Sequence, residues 1–512
     1  MKKNSNIKKK IIIVGGGVSG LSAGIFALQN GFEVELFEKN PQPGGLCAAW
    51  KRRGYEIDGC IHWLTGTKPG CDLYNIWRTL GVITEEDNVI YQEDAGKFYY
   101  KGGTLTLYCD VNKLEEELLR VAPEDKKIIK KLMKDVRLSY KFPVPLSEPI
   151  NTMNIFKLTK LGCSFLPYLR FFLWAKKETC TRAANRFKSE MIRYIITAFQ
   201  PGPGSYYPAV FSLSTVIYRN GGIPRGGSKA MVDNMVNKFL SLGGTLRLST
   251  PVKEIVIEDK ICRGVILEND ERVNANYVVS ALDAHYLLNV LLKGQIRDKK
   301  FEKRFNNYHR YPSPSCFVCY YRINKNKLET ISDSHQNFFQ VEPFKVSQRQ
   351  IYAIKMRDYR YDPYFDKGDD TIVEVLLEQY NKDYDFWVNL YQDKEKYNAE
   401  KQRIADIVKD RILKQFPTLQ ENDLELIDSF SPCTLTRYTN TYMGSFMSFM
   451  MTKYSSVIFH RGYFKGAKNL YFASQWEQTP GGLPLAASAG MFAIQRILKK
   501  EKRNHNILKK YQ

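Results

Sequence analysis

Six residues near the amino end constrain this chain more than any other feature. Gly15-Gly16-Gly17-Val18-Ser19-Gly20 fits G-x-G-x-x-G and follows the apolar run Ile11–Val14. Residues 10–38 therefore read as one βαβ unit: strand Lys10–Val14, helix Leu21–Asn30 ended by Gly31, and strand Phe32–Glu38. Gly15 permits a tight turn, and Gly17 lets the backbone approach a pyrophosphate. Gly20, with Gly24 one turn later, lets the helix pack closely on the sheet. Val18 and Ser19 open that helix, where leading amides attract phosphate. Glu38, with Lys39 beside it, closes the second strand where a carboxylate accepts from ribose hydroxyls. The unit serves NAD and FAD alike, so the choice falls to later residues.

With 512 residues the chain exceeds what one core sustains, which predicts two lobes. Its 44% hydrophobic and 25% charged composition excludes a disordered or fibrous protein. Ten cysteines without framework spacing point to reduced thiols and a cytoplasmic location. The basic start, residues 1–10, meets too short an apolar run for a secretory signal, and no stretch reaches the ~20 apolar residues of a spanning helix. A formal charge of +22 raises nucleic acid or an anionic membrane as partners, and no nucleic-acid fold signature accompanies it. HExxH, GxSxG, Walker and zinc-ligand patterns are absent, so no metal site is expected. Cys316 and Cys319 match CxxC within an apparent strand, where residues three apart point to opposite faces.

Four further segments narrow the reading. Pro43-Gly44-Gly45-Leu46 and Gly54 to His62 form a second glycine loop; Gly221 to Gly227 precedes a helix (Lys229–Leu242). Thr434 to Thr439 includes Arg437 and Tyr438, and Ala473 to Pro484 carries Trp476, Gly481, Gly482, Leu483 and Pro484 before a helix Leu485–Leu498. Together these resemble the FAD-dependent phytoene desaturase family, which includes carotenoid isomerases and retinol saturases. The likeness covers residues 10–110, 215–285 and 430–497. It implies FAD as cofactor, with NAD(P)H as a candidate external reductant. It implies hydride exchange at flavin N5 with carbon–carbon bonds of a carotenoid, retinoid, isoprenoid, steroid or unsaturated lipid, by desaturation, saturation or isomerisation. It places Gly44, Gly45, Leu46, Val252 (opening a strand that receives the adenine) and the Trp476–Pro484 loop at the flavin. Many relatives carry Arg where this chain has Leu46. His62 is implied near the ring, as a flavin contact and a proton carrier near neutral pH; Arg437 and Tyr438 are implied beside the same cavity. Two other readings stand beside this one: a lipid-binding protein without redox chemistry on the same fold, and a flavin amine oxidase.

The expected fold is α/β, a Rossmann-type FAD-binding domain (glutathione reductase or amine oxidase-like) from residues 1–105, 215–290 and 426–512. It is interleaved with an α+β substrate domain from residues 106–214 and 291–425. Residues 151–189 mix eight Lys or Arg with aromatic side chains. Phe171, Phe172 and Trp174 beside Lys176 and Lys177 read there as a membrane-facing helix.

Overall fold

Ile11, Ile12 and Ile13 have no solvent exposure, which only a strand covered on both faces allows. In the computed structural model, which describes residues 8–85, 88–199 and 202–511, Lys10–Val14 is the central strand of a five-stranded parallel sheet. The order across it is Thr245–Arg247, Glu33–Phe37, Lys10–Val14, Tyr277–Ser280, Leu470–Phe472. Three well-separated stretches of chain thus share one sheet. The basic start of the chain lies, through residue 7, outside the described residues.

Helix Val18–Gln29 follows the glycine turn and is clamped from two sides. On one side, a Cβ at Gly20 would lie 1.9 Å from the Gly15 carbonyl oxygen. On the other, helix Leu483–Lys500 crosses it so closely that a Cβ at Gly490 would lie 2.4 Å from the Ser19 carbonyl oxygen and 2.6 Å from the Ala23 nitrogen. The Ser22 hydroxyl donates to the Ala487 carbonyl at 2.6 Å across this contact. The first and last helices of the fold are held backbone to backbone by small residues.

A second, seven-stranded sheet runs Glu425–Phe430, Ser315–Asn324, Asp370–Gln379, Arg349–Asp358, Gln336–Val346, Asp94–Tyr100, Gly103–Tyr108. It is antiparallel except where Gln336–Val346 meets Asp94–Tyr100. Residues 94–108 and 425–430 therefore pair into the second sheet, so the chain changes sheets earlier than residue 105 and later than 426. Cys316 and Cys319 sit on opposite faces of Ser315–Asn324, in two different apolar clusters, and both are free thiols. The charged stretch 111–140 forms two helices, Val111–Val121 and Lys126–Tyr140, because Pro123 lacks the amide to continue the first.

Residues 151–189 form helix Ile155–Lys177 and the short helix Cys180–Ala184. The aromatic trio expected to face a membrane does not do so. Phe171 is buried. Phe172 stacks on Phe142 at 5.1 Å, and Trp174 lies beneath Lys131 and Arg186 at 4.1 and 5.1 Å. The outward face instead carries Ile155, Phe156, Leu166, Leu169 and Leu173, with Phe156 81% exposed. No helix among the described residues is long and apolar enough to cross a membrane.

Gly490→Val tests the helix crossing. A branched side chain has no room against the Ser19 carbonyl, so a loss of about 1–3 kcal/mol in denaturant unfolding is expected; Gly162→Val, where an added Cβ meets nothing within 4 Å, is the comparison.

Candidate active site

The glycine turn after Lys10–Val14 adopts a conformation reserved for glycine, with Gly15 at φ +104°. Gly17 caps helix Val18–Gln29 with no side chain, so leading amides are left for a ligand at the positive end of the helix. The second glycine loop folds back on this turn. The Gly44 amide donates to the Gly16 carbonyl at 2.9 Å, and a Cβ on Gly45 would lie 3.3 Å from the Gly17 Cα. A Cβ on Gly17 itself would meet nothing closer than 3.7 Å. That position is open, as a cradle for a pyrophosphate requires.

Glu38 is buried with both oxygens engaged. One accepts from the Gly16 amide at 2.8 Å, the other from the Asn40 amide at 2.8 Å and its side-chain nitrogen at 2.9 Å. The oxygen bonded to Gly16 keeps a further lone pair for a ribose hydroxyl. Lys39 bonds the Arg437 carbonyl and, at 2.7 Å, the Asn440 side chain; burial lowers its pKa against the pull of Glu38. At the opposite end of the sheet Gly481 and Gly482 have φ of +85° and +91°. The Gly482 amide donates to the Gln475 side chain at 2.8 Å. Leu483 and Pro484 then begin a helix whose amino end opens into the same space. Trp476 forms a wall, edge-on to Phe449 at 4.8 Å.

One cavity of about 1290 Å³ joins these parts, more than a drug-sized ligand needs. Gly15, Gly17, Val18 and Ser19 line it, as do Glu38, Lys39, Gly44, Gly45 and Leu46. So do His62, Val252, Trp476, Gly481, Gly482, Leu483 and Pro484. Gly20 does not; it packs beneath the turn. Away from the glycine loops the walls become aromatic, with Phe142, Phe165, Phe172, Tyr207 and Phe211.

The 434–439 segment lies beside Glu38, bonded through Lys39 and Asn40. The Arg437 side chain is exposed and bonds the Tyr391 hydroxyl at 2.8 Å, outside the cavity. Tyr438 borders the cavity but is 56% exposed, and its carbonyl accepts from Asn40 beside Glu38. Tyr438 thus borders the same cavity as His62, at its Glu38 end, while Arg437 lies outside it. His62 has other partners. Its Nε2 lies 3.1 Å from Glu374 Oε1, and its Nδ1 is 3.4 Å from Lys355 Nζ. Arg357 pairs with Glu374 at 2.6 Å and donates to the Ile61 carbonyl, while the Tyr359 hydroxyl donates to Glu374 at 2.6 Å.

Burial, reinforced by the Arg357 charge, pushes the His62 pKa down to about 4 despite Glu374. Its accessible surface faces the cavity, not the bulk. The imidazole is thus neutral at pH 7, which removes the proton carrier titrating near neutrality expected from the sequence. Nε2–H donates to Glu374, leaving Nδ1 to accept from Lys355. Burial opposes ionisation of Glu374, but Arg357, His62 and Tyr359 outweigh it and hold the carboxylate well below its usual range. Sequence reasoning missed Lys355, Arg357, Glu374 and Glu378. Their one signal was charge at alternate positions of otherwise apolar strands.

The cradle predicts a clean separation of folding from loading. A Cβ at Gly17 would meet Gly44 and Gly45 only at ordinary contact distance, 3.7 and 3.8 Å, so in Gly17→Val circular dichroism and the unfolding midpoint without cofactor should stay close to the parent, while FAD released on denaturation should fall at least tenfold, roughly the effect of one steric block at a phosphate contact.

Residues 18–498 match the flavin containing amine oxidoreductase family. A neurosporene-forming phytoene desaturase of Rhodobacter capsulatus is 25% identical over 81% of this chain and 80% of its own. A 4,4'-diaponeurosporene oxygenase of Staphylococcus aureus is 24% identical over 97% and 99%. Among solved structures, a putrescine oxidase redesigned at its cofactor site superposes with a TM-score of 0.62 at 14% identity, covering 96% of this chain and 99% of its own. That last likeness shows the fold. The cradle fits a dinucleotide, the family supplies its identity as FAD, and the chain belongs to the flavin-containing amine oxidoreductases, similar within them to the phytoene desaturases.

Proposed function

We propose that this oxidoreductase acts on carbon–carbon bonds of a long lipophilic chain, by desaturation, saturation or isomerisation. One observation carries the reading: the nucleotide cradle and an aromatic-walled chamber are a single cavity that continues to the exposed apolar helix. Leu169 lines the cavity and is 44% exposed on the outer surface of helix Ile155–Lys177, so the chamber reaches the outside at an apolar rim. The names of two sequence relatives, a phytoene desaturase and a 4,4'-diapophytoene desaturase, support a substrate of this kind.

Bound FAD supplies the acceptor or donor of the hydride. The chain's own residues do the rest. Gly17, Gly44 and Gly45 would hold its pyrophosphate and Glu38 its ribose, and Gly481 to Pro484 set a helix amino end at the cavity wall. Phe142, Phe172 and Phe211 exclude water along the substrate. His62, held neutral between Glu374 and Lys355, orients the polar end of the cluster at the cavity wall. Ile155, Phe156, Leu166 and Leu173, with Lys157, Lys160, Arg170 and Lys177 on the same helix, suit contact with an anionic lipid surface from which such a substrate is drawn.

The FAD-loaded protein, incubated with carotenoids, retinoids, enone steroids and unsaturated fatty acids, should change the mass of one class by two hydrogens or isomerise it. Turnover of primary amines alone would replace this reading with amine oxidation. Because His62 is already neutral, the pH profile of turnover should show no His62 ionisation between about pH 6 and 7, and His62→Gln should leave the shape of that profile and the FAD content unchanged. Phe156→Ser with Leu166→Ser should weaken flotation with anionic vesicles, and salt should weaken it further.

A further inference from the structure

The seven-stranded sheet has two unlike faces. On strand Asp370–Gln379, Val373, Val375 and Leu377 turn into an apolar core with Phe317 and Ile354. The alternate residues Glu374 and Glu378 turn to the cavity. The neighbouring strand repeats the pattern: Ile354 and Met356 pack inward, while Lys355, opposite Phe338, borders the cavity. A sheet that only had to enclose a hydrocarbon has no use for such a row of charges, because each ion removed from water is costly unless partnered.

Most of the row is partnered. Arg357 and Glu374 form an ion pair at 2.6 Å. Glu378 accepts from the Tyr380 hydroxyl at 2.7 Å, and Arg349 stacks on the Tyr380 ring at 4.5 Å. Lys355 differs. Among the described residues no carboxylate lies within ion-pair distance of its Nζ. Its contacts are the long one to His62 Nδ1 and the ring faces of Phe338 and Trp63 at 5.5 and 5.9 Å. Burial, then the Arg357 charge, lowers its pKa to about 8, so it still carries its proton at pH 7. An ammonium group with unused donors faces a chamber whose other walls are largely aromatic.

We propose that Lys355 is a head-group subsite that binds a carbonyl or carboxylate oxygen on the lipophilic substrate, which is therefore an oxygenated chain and not a plain hydrocarbon. The proposal rests on the lipophilic reading of the cavity above and adds the chemistry of one end of the ligand. His62 fixes the lysine from one side through Nδ1, leaving its remaining donors for the incoming oxygen. A hydrocarbon leaves them unmatched, whereas an oxygen acceptor forms a charge-assisted hydrogen bond where water is scarce.

Three chains of equal length test it: farnesal, farnesoic acid and α-farnesene, titrated into the FAD-loaded protein with dissociation constants read from the shift of the flavin visible band or from quenching of tryptophan emission. The parent should bind the two oxygenated chains about tenfold or more tightly than the hydrocarbon. Lys355→Met should erase most of that ratio while leaving farnesene within about twofold of the parent, and Lys355→Arg, which keeps charge and donors, should restore it. FAD content and unfolding midpoint show that each variant is folded. A larger loss for farnesoic acid than for farnesal identifies an ion pair, and equal losses a hydrogen bond to a neutral carbonyl; either supports the subsite. Equal binding of all three chains by the parent, or a loss in Lys355→Met that is uniform across them, would overturn the subsite alone. Failure of every chain to bind would overturn the lipophilic reading and the subsite with it.

Discussion

The close approach of the first and last helices is the contact on which the rest of this structure depends. Helix Val18–Gln29 can offer its amino end to a ligand only if it lies tight against the sheet, and Gly20 permits that by lying over the Gly15 carbonyl. Helix Leu483–Lys500 can bring the Gly481-Gly482 loop to the same space only if it crosses the first helix without intervening side chains. Gly490 over Ser19 and Ala23 permits that. Residues more than 450 positions apart are thereby fixed on either side of one cavity, and the cofactor site follows from packing that involves almost no side chain. Glycine forfeits stability through the freedom of its unfolded chain, so its concentration at these crossings marks where proximity outweighs that cost.

The second sheet is governed by a different balance. Its inner face is sealed with aliphatic and aromatic side chains, whereas its cavity face holds Arg357, Glu374, Glu378 and Lys355. Burying ions in such a place costs several kcal/mol each unless geometry compensates. The Arg357–Glu374 pair, with Tyr359, Ile61 and His62 around it, satisfies most of its hydrogen-bonding capacity. It also sets His62: a neutral imidazole with its Nε2 proton committed to Glu374. The electrostatic centre of the cavity is therefore a lysine that a histidine orients, not a histidine that titrates.

Much of the cofactor half was legible in the sequence because glycine has few substitutes where backbones meet. Strand Lys10–Val14 falls where the apolar run placed it, and the glycine pairs at 44–45 and 481–482 both reach the cavity. Little of the substrate half was legible. Alternation with period two shows that a strand has two faces but not which one borders a cavity, so Lys355 and Glu374 look like ordinary strand residues until the sheet is assembled. Tyr438 borders the cavity and Arg437 lies outside it, a difference hidden in the sequence because a helix of eight residues beside the site does not reveal which of its sides turns inward. Phe171, Phe172 and Trp174 mislead because an amphipathic helix at a surface is apolar both toward the core and, here, toward the outside. Only packing assigns Phe171 to the first and Phe156 to the second.

The central claim is that one cavity brings a lipophilic chain to the flavin, and the redox state of the flavin reports on it directly. Mixing the protein anaerobically with polyene, retinoid or enone chains, oxidised and reduced forms in separate runs, should bleach or restore the visible flavin absorption in a single turnover with at least one of them. Phe211→Trp, which enlarges a side chain lining the chamber, should slow that change without lowering FAD content. A flavin that stays unchanged with every lipophilic chain, yet bleaches with a primary amine, would contradict the account.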